Sequence, residues 1–530
     1  LDVPDTIHLL KTPLNPEGEA ESPSLARAPF WHTLIVVAIV VANLGVAVTP
    51  RFFPYGDTPN HLARYTLIAA SWSGTAPAWV HFRWLPTGYI AIDVIGAALV
   101  ALTSPIAALR ILVAAYVILL PLGAYALLRA VNPRTVGWSI VACLLTFNWY
   151  FLAGFLSYSI GIALALLWLA WWWPRRDTTK LSTRAVGAAG IAGLYLVHMA
   201  AAATALVAVG IACLEPALWP RTSRDERPDH RRMLARVTSA AVYSIPAVAL
   251  NLLMKASSTL PPAQDGIVFR STRDKLLHLA APFVSFSRVD GIAVASAYLI
   301  AFVLCWSARR FHAVSVWPLV AGALLLCYFV CPVFLFAAWD VDVRFLLPAA
   351  IIAFVGTTPD RRGDPSAVGI LLLASVTLLH AWNTSRNATQ IDVSVGNVLA
   401  TLRQIPQPAS TLVLVSDEGN FFRVDPFLHA GEWLTIEHPS ARVNGLFSGG
   451  ANGAYLAHFI VRPELYDPGV HWAGISTISL DWRKIRQDYN YIALVGTNRN
   501  AQARIESEAA PYFGGRATTV YTVKRDSRVK

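Results

Sequence analysis

Stretches of about 20 mainly apolar residues, the length that crosses a bilayer as a helix, recur from Trp31 to Trp382 and then stop. Read as spans, they fall at about 31–49, 106–128, 136–150, 156–173, 185–198, 200–217, 236–254, 291–307, 313–335, 345–357 and 367–382. Charge decides how these eleven segments thread. If the further apolar run Trp84–Thr103 also crossed, the basic stretch Arg175–Arg184 would lie outside. If that run instead lies along the outer surface, every basic loop falls on the cytoplasmic side, as the positive-inside bias requires. The inner loops then hold Arg129 and Arg134; Arg175, Arg176, Lys180 and Arg184; the cluster from Arg221 to Arg236; Arg309 and Arg310; and Arg361 and Arg362. Two long outer loops result, 50–105 with two helices at the interface, and 255–290.

Beyond Asn383 the pattern changes period. Thr411–Val415, Tyr491–Val495 and Thr518–Val523 read as strands, with helices expected over Val393–Leu402 and near Ala501–Ala509. Residues 383–530 are therefore expected to form a soluble α/β domain on the outer, periplasmic side, and residues 31–382 the transmembrane domain. Residues 1–30 are polar and carry Pro13, Pro16, Pro23 and Pro29, which predicts a disordered cytoplasmic N-terminus. The run Trp31–Val48 has a long polar lead and no small-x-small cleavage site after it. It is expected to be a retained first span rather than a signal peptide. The expected class is an α-helical polytopic protein of a bacterial inner membrane.

Composition sharpens this reading. Hydrophobic residues make up 55% of the 530, and charged residues only 14%, against about 25% in soluble domains. The net charge of +11 is dispersed in short clusters between apolar runs, which argues against a nucleic-acid partner. All five cysteines lie in apolar runs, so neither a disulfide framework nor a zinc site is expected. The Gly-rich stretch Gly445–Tyr455 lacks the Lys-Ser/Thr ending of a phosphate-binding loop and reads as a turn region.

Candidate chemistry gathers on the outer face. Phe-Phe-Pro-Tyr-Gly-Asp-Thr-Pro-Asn-His-Leu-Ala-Arg, residues 52–64, follows the first span and places Asp57 where a side chain meets both headgroups and a periplasmic substrate. Pro59 suits the first turn of a helix, with Asp57 or Thr58 as cap, and His61 follows one turn later. Asp57 is either a helix cap or a general base assisted by His61. Asp340, Asp342 and Arg344 share a short loop between two spans, where ionisable groups are costly; they are site candidates or a structural pair. His198 turns between two spans, as a packed residue or a site residue. Arg270, Arg273 and Lys275 make the second outer loop basic, either as a solvated face or as contacts to phosphate. Arg110, at the outer start of the second span, is a further candidate.

This arrangement resembles the GT-C class of membrane glycosyltransferases. The acid after the first span (Asp57 in Gly-Asp-Thr-Pro-Asn-His), the long first outer loop, Leu85-Pro86 ahead of Arg110, and the many-span domain with a periplasmic α/β tail carry the resemblance. It implies transfer of a sugar from a polyprenyl-phosphate donor to an envelope glycan, lipid or protein, with inversion at the anomeric centre. Asp57 would be the base, and Arg270, Arg273, Lys275 and Arg110 would hold the donor phosphate. Asp57 is followed by Thr58 rather than by a second acid, so no paired-acid motif supports a divalent metal. A multi-span transporter and a non-catalytic envelope scaffold are the alternatives. The lack of an internal repeat and the clustering of charge at the outer face weigh against transport.

Overall fold

The structure, a computed structural model, describes residues 30–215, 230–257, 267–307, 316–334, 339–356, 365–416, 424–446, 456–461, 480–515 and 517–524. The expected N-terminal disorder, much of the basic inner loops and most of the Gly-rich stretch lie outside them.

Among the described residues, seven helices are long and apolar enough to cross a membrane, and five shorter apolar helices accompany them. Helix α1 (Phe30–Val48) shows the principle. Its buried residues, His32, Val36, Ile39, Asn43 and Ala47, recur every three or four positions and form one packed stripe. Leu34, Val37 and Val41 on the opposite face are exposed. Outward aliphatic faces of this kind recur on the other spans, at Ile111, Ile118 and Leu122 and at Leu371 and Leu378. A surface so continuously apolar faces lipid, and the chain is an integral membrane protein.

In the first long segment between spans, which the sequence reading places on the outer side, α2 (Thr58–Trp72), β1 (Val80–Phe82) and α3 (Ile90–Leu102) follow α1. Helix α4 (Pro105–Val131) then crosses and packs along α7 (Leu156–Trp172), which is buried along most of its length. Between them, Pro133–Leu152 is buried along most of its length but broken, with α5 (Ile140–Leu144) and α6 (Trp149–Leu152) as its helical pieces. Asn148 satisfies the break: its amide donates to Leu145 O (2.7 Å) and Tyr116 Oη (3.0 Å), and its carbonyl accepts from Phe151 N (3.2 Å). Irregular backbone at this depth is tolerated because protein, not lipid, surrounds it. Helices α8 (Leu181–Val197), α9 (Met199–Ala212), α10 (His230–Ser257), α11 (Thr272–His278), α12 (Arg288–Ser307), α13 (Trp317–Val330) and α14 (Leu346–Ile352) complete the bundle.

Two features depart from the expectations. Helix α15 (Pro365–Leu402) runs unbroken for 38 residues, about 57 Å at 1.5 Å per residue, so the expected separate helix Val393–Leu402 is the end of the same continuous helix. Polarity changes at Asn383, but the helical period of buried positions persists through Ala388, Ile391, Val395, Val398 and Leu402. Helix α2, expected at the lipid interface, is instead buried from Thr58 to Ile68, in part beneath α16 (Glu432–Glu437) of the C-terminal domain.

The C-terminal domain is a five-stranded mixed sheet in the order β3-β2-β5-β7-β6. Strand β2 (Ser410–Val415) lies parallel to β3 (Arg442–Val443) and to β5 (Tyr491–Val495). Strands β6 (Ala509–Gly514) and β7 (Thr518–Val523) close one edge antiparallel, with α17 (Trp482–Asp488) and α18 (Arg499–Glu506) among the connections. All three expected strands are present. A separate antiparallel pair joins β1 to β4 (Phe459–Val461), so the first outer segment and the C-terminal domain are stitched by backbone hydrogen bonds.

Candidate functional site

Two glycines fix the position of Asp57. Gly56 (φ 58°) and Gly154 (φ 86°) occupy left-handed backbone at a close crossing of two loops. A Cβ on Gly56 would lie 2.3 Å from Ala153 O, and one on Gly154 2.5 Å from Thr58 N. The crossing is closed by Asp57 N donating to Ala153 O (2.9 Å). Behind it, Tyr55 Oη donates to Ala388 O (2.7 Å), and Asp392 on α15 accepts from Phe52 N (3.0 Å) and Arg51 N.

Asp57 stands at the start of α2, yet its side chain makes no capping hydrogen bond there. Its Oδ1 instead lies 3.4 Å from Nε2 of His429, which precedes α16. His429 is clamped on its other nitrogen by Glu432 Oε1 at 2.7 Å. Asn60, one position before His61, donates to Gly445 O (2.7 Å) and Glu432 Oε1 (3.3 Å), docking this part of the C-terminal domain onto α2. Burial of His429 disfavours the cation, but the two carboxylates outweigh it and push its pKa up to about 10. It is an imidazolium at neutral pH. Asp57 keeps 16% side-chain exposure, whereas His429 and Glu432 are almost fully enclosed.

His61 behaves differently. Burial first, and the neighbouring Arg64 second, push its pKa down to about 4, so it is neutral. Arg64 Nη2 donates to its Nδ1 (2.7 Å), which leaves the proton of the neutral ring on Nε2. His61 is thus a hydrogen-bond donor, not a free base. Arg64 in turn makes a bidentate pair with Asp93 on α3 (2.7 and 2.9 Å), and His458 of the C-terminal domain donates from Nε2 to the same carboxylate (2.7 Å). Burial opposes ionisation of Asp93, but Arg64 and His458 hold it well below the usual carboxylate range.

The remaining candidates divide. His61 faces the Tyr89 ring (6.3 Å between centroids), and Tyr89 faces His198 (4.9 Å). His198 Nε2 meets Arg344 Nη1 at 3.2 Å, and Arg344 also donates to Trp339 O (3.0 Å). Asp340 and Asp342 both bind Arg270, the second at 3.2 Å. Among the described residues, Tyr89 (φ 81°) and Asp340 (φ 56°) are the non-glycine residues in left-handed backbone. Such conformations cost about 1–3 kcal/mol each and persist where the surroundings impose them. Both border one place, since Val341, next to Asp340, packs against the cluster of Tyr89 and Leu456.

Three proposed phosphate contacts sit elsewhere. Lys275 is buried and donates to the last carbonyls of α13 and its cap, Tyr328 O, Phe329 O and Cys331 O (2.7–2.8 Å), as a C-terminal helix cap. Arg273 is exposed. Arg110 is exposed beside lipid-facing Ile111, because its helical phase turns it out of the bundle.

Sequence reasoning missed His429, Glu432, Asp93 and His458. Asp93 had a signal, as a lone acid in the apolar run Ile90–Leu102; the others reach the site through tertiary contacts. Among the described residues, no group of three His, Cys, Asp or Glu side chains has the spacing to hold a metal ion.

No family model matches the sequence, and no curated protein matches it. Solved structures do resemble the fold. ArnT from Cupriavidus metallidurans bound to undecaprenyl phosphate aligns with TM-score 0.52 and 12% identity over 93% of this chain and 97% of that one. The same protein in the apo state aligns with TM-score 0.50 and 12% identity over the same shares. The expected architecture is therefore the observed one: the chain has the GT-C fold.

Proposed function

We propose that the chain is a membrane glycosyltransferase of the bacterial inner membrane, moving a sugar from a polyprenyl-phosphate donor to an extracytoplasmic acceptor, with Asp57 as general base. The observation that carries the reading is the placement of Asp57. Its carboxylate is not used as a helix cap and is held partly exposed between the membrane domain and the C-terminal domain.

The chemistry follows from that placement. Asp57 takes the proton of an acceptor hydroxyl as its oxygen attacks the anomeric carbon. The bond from that carbon to the phosphate oxygen breaks, and polyprenyl phosphate leaves with the electron pair. The growing phosphate charge needs cations and N–H donors placed in advance. Arg344 and the Nε2–H of His61, linked through His198 and Tyr89, fit that need better than Arg273, Lys275 or Arg110. Arg270 braces the loop that carries Arg344, through Asp340 and Asp342.

An isoprenoid chain has somewhere to lie. A cavity of about 400 Å³ between α12, α13 and α14 is lined by Phe283, Tyr298, Phe302, Leu325, Leu346 and other apolar residues. The lipid that ArnT holds in its solved complex supports the same donor class here.

Sugar transfer tests the reading. Membranes containing the protein, or its Asp57→Asn variant, receive labelled polyprenyl-phosphate sugars with native acceptors present. Transfer by the unaltered protein and loss in the variant are expected. Equal transfer by both would remove Asp57 from the chemistry, and absence of transfer with every donor would end the enzyme reading. A periplasm-active reporter fused after Lys530 tests the topology: activity is expected, and silence, with a cytoplasm-active reporter giving signal at the same point, would invert it.

A further inference from the structure

The C-terminal domain contacts the proposed base directly, and the contact has a chemical consequence. His429 is enclosed between two carboxylates. Glu432 holds Nδ1 at 2.7 Å, and Asp57 Oδ1 faces Nε2 at 3.4 Å. The charged or titratable groups that face the ring among the described residues are Asp57 and His61 from the outer segment and Glu432 from its own turn. The same segment is fixed to α2 by Asn60, which spans Glu432 and Gly445.

We propose that His429 is a positioning residue for Asp57: clamped by Glu432, its imidazolium holds one carboxylate oxygen and leaves the other for the acceptor hydroxyl. This rests on Asp57 being the base. A relay is excluded by proton count, because a ring already carrying both protons cannot accept the one that Asp57 removes. The imidazolium acts by direction and by field. It fixes the rotamer of a side chain that α2 does not hold, and it sets a fixed positive charge beside the carboxylate. The C-terminal domain is then part of the catalytic apparatus, so activity depends on its docking as well as on the membrane bundle.

Three variants test this in the full-length protein, by transfer assays across pH. His429→Gln removes the charge and keeps the bulk; kcat is expected to fall about 100-fold with little change in donor KM. His429→Arg supplies a permanent cation; it is expected to restore most of kcat and to lack the alkaline fall near pH 10 that is expected of the unaltered protein. Glu432→Gln weakens the clamp and is expected to bring the alkaline fall toward neutrality. A merely structural contact would lower the amount of folded protein in all three and leave kcat per folded molecule and the alkaline limb in place. Unchanged kcat and an unmoved alkaline limb, with Asp57→Asn inactive, would overturn the positioning role alone. Full activity of Asp57→Asn would overturn the base assignment and this inference with it.

Discussion

Two carboxylate–imidazole clusters join the first outer segment to the C-terminal domain, and they differ in saturation. Asp93 receives both arms of the Arg64 guanidinium and the Nε2–H of His458, and all three side chains are at most 1% exposed. Asp57 faces one imidazolium at 3.4 Å and keeps 16% exposure. A buried carboxylate with every oxygen engaged has no capacity left for substrate, and it serves cohesion. A carboxylate held by one oxygen at an accessible rim retains a free acceptor. The residue types are the same, and the unused valence and access distinguish a tie from a reagent.

The largest effect that would break this contrast is on Asp57. Asp57→Asn should lower kcat by about 10²–10⁴-fold, the range for a lost general base. Thermal unfolding in detergent should be nearly unchanged, since the amide keeps the shape and an oxygen toward His429. A large loss of stability with Asp57→Asn would put Asp57 in the same class as Asp93. Asp93→Ala should act the other way. It leaves Arg64 and His458 enclosed without their counter-charge, and removing one partner of a buried pair typically costs about 3–5 kcal/mol. The check is yield and unfolding temperature, with the activity per folded molecule largely retained.

The sequence disclosed the bundle more readily than the site, for a physical reason. Lipid demands long apolar runs and leaves basic residues on one side, so spans such as Phe30–Val48 and Pro105–Val131 are written in local composition. Strands β5 and β7 likewise show as β-branched runs bounded by polar residues. Asp57 and His61 were visible because they directly follow the first span, at the edge of the membrane. His429 and Glu432 lie about 370 residues further on, at separations of 369 and 372 from Asn60, and nothing local marks them as neighbours of α2. Lys275 turns to cap α13 and Arg110 faces outward, because side-chain direction depends on helical phase and on which carbonyls lie nearby, neither of which charge alone reveals.

Proton linkage gives an effect of intermediate size, and its sign separates the two histidines nearest Asp57. The pKa of His61 falls to about 4 on folding, from an unfolded value near 6.5. Between those values the unfolded chain binds the extra proton, so stability from this group is lost as pH drops from about 6.5 toward 4. His429 rises to about 10, so its contribution is present at neutral pH and lost as pH climbs toward 10. Protection of the α2 and α16 amides from hydrogen exchange should therefore weaken at both ends of this range. His61→Gln should remove the acid-side loss, and His429→Gln the alkaline one. A profile unmoved by either substitution would mean that these rings do not link protonation to the docking of the C-terminal domain.

The smallest effects concern the outer cations, where the structure reorders the expectation from sequence. Arg344 touches His198, which Tyr89 links to His61, so Arg344→Met should raise the donor KM by about 10–100-fold, the scale of a lost charge-assisted hydrogen bond. Arg270 reaches that cluster only through Asp340 and Asp342, so Arg270→Ala should act more weakly, by loosening the loop around Asp340. Arg273 and Arg110 are exposed away from these contacts, and alanine at either should leave donor KM within about twofold, since isolated surface charges contribute about 0–1 kcal/mol. Titrating donor against the four variants orders them. If Arg273→Ala weakened donor binding more than Arg344→Met, the phosphate would lie over the second outer loop instead of beside Tyr89. Asp57 would then face the acceptor alone, and the proposed cluster of His61, Tyr89, His198 and Arg344 would have to serve the sugar rather than its leaving group.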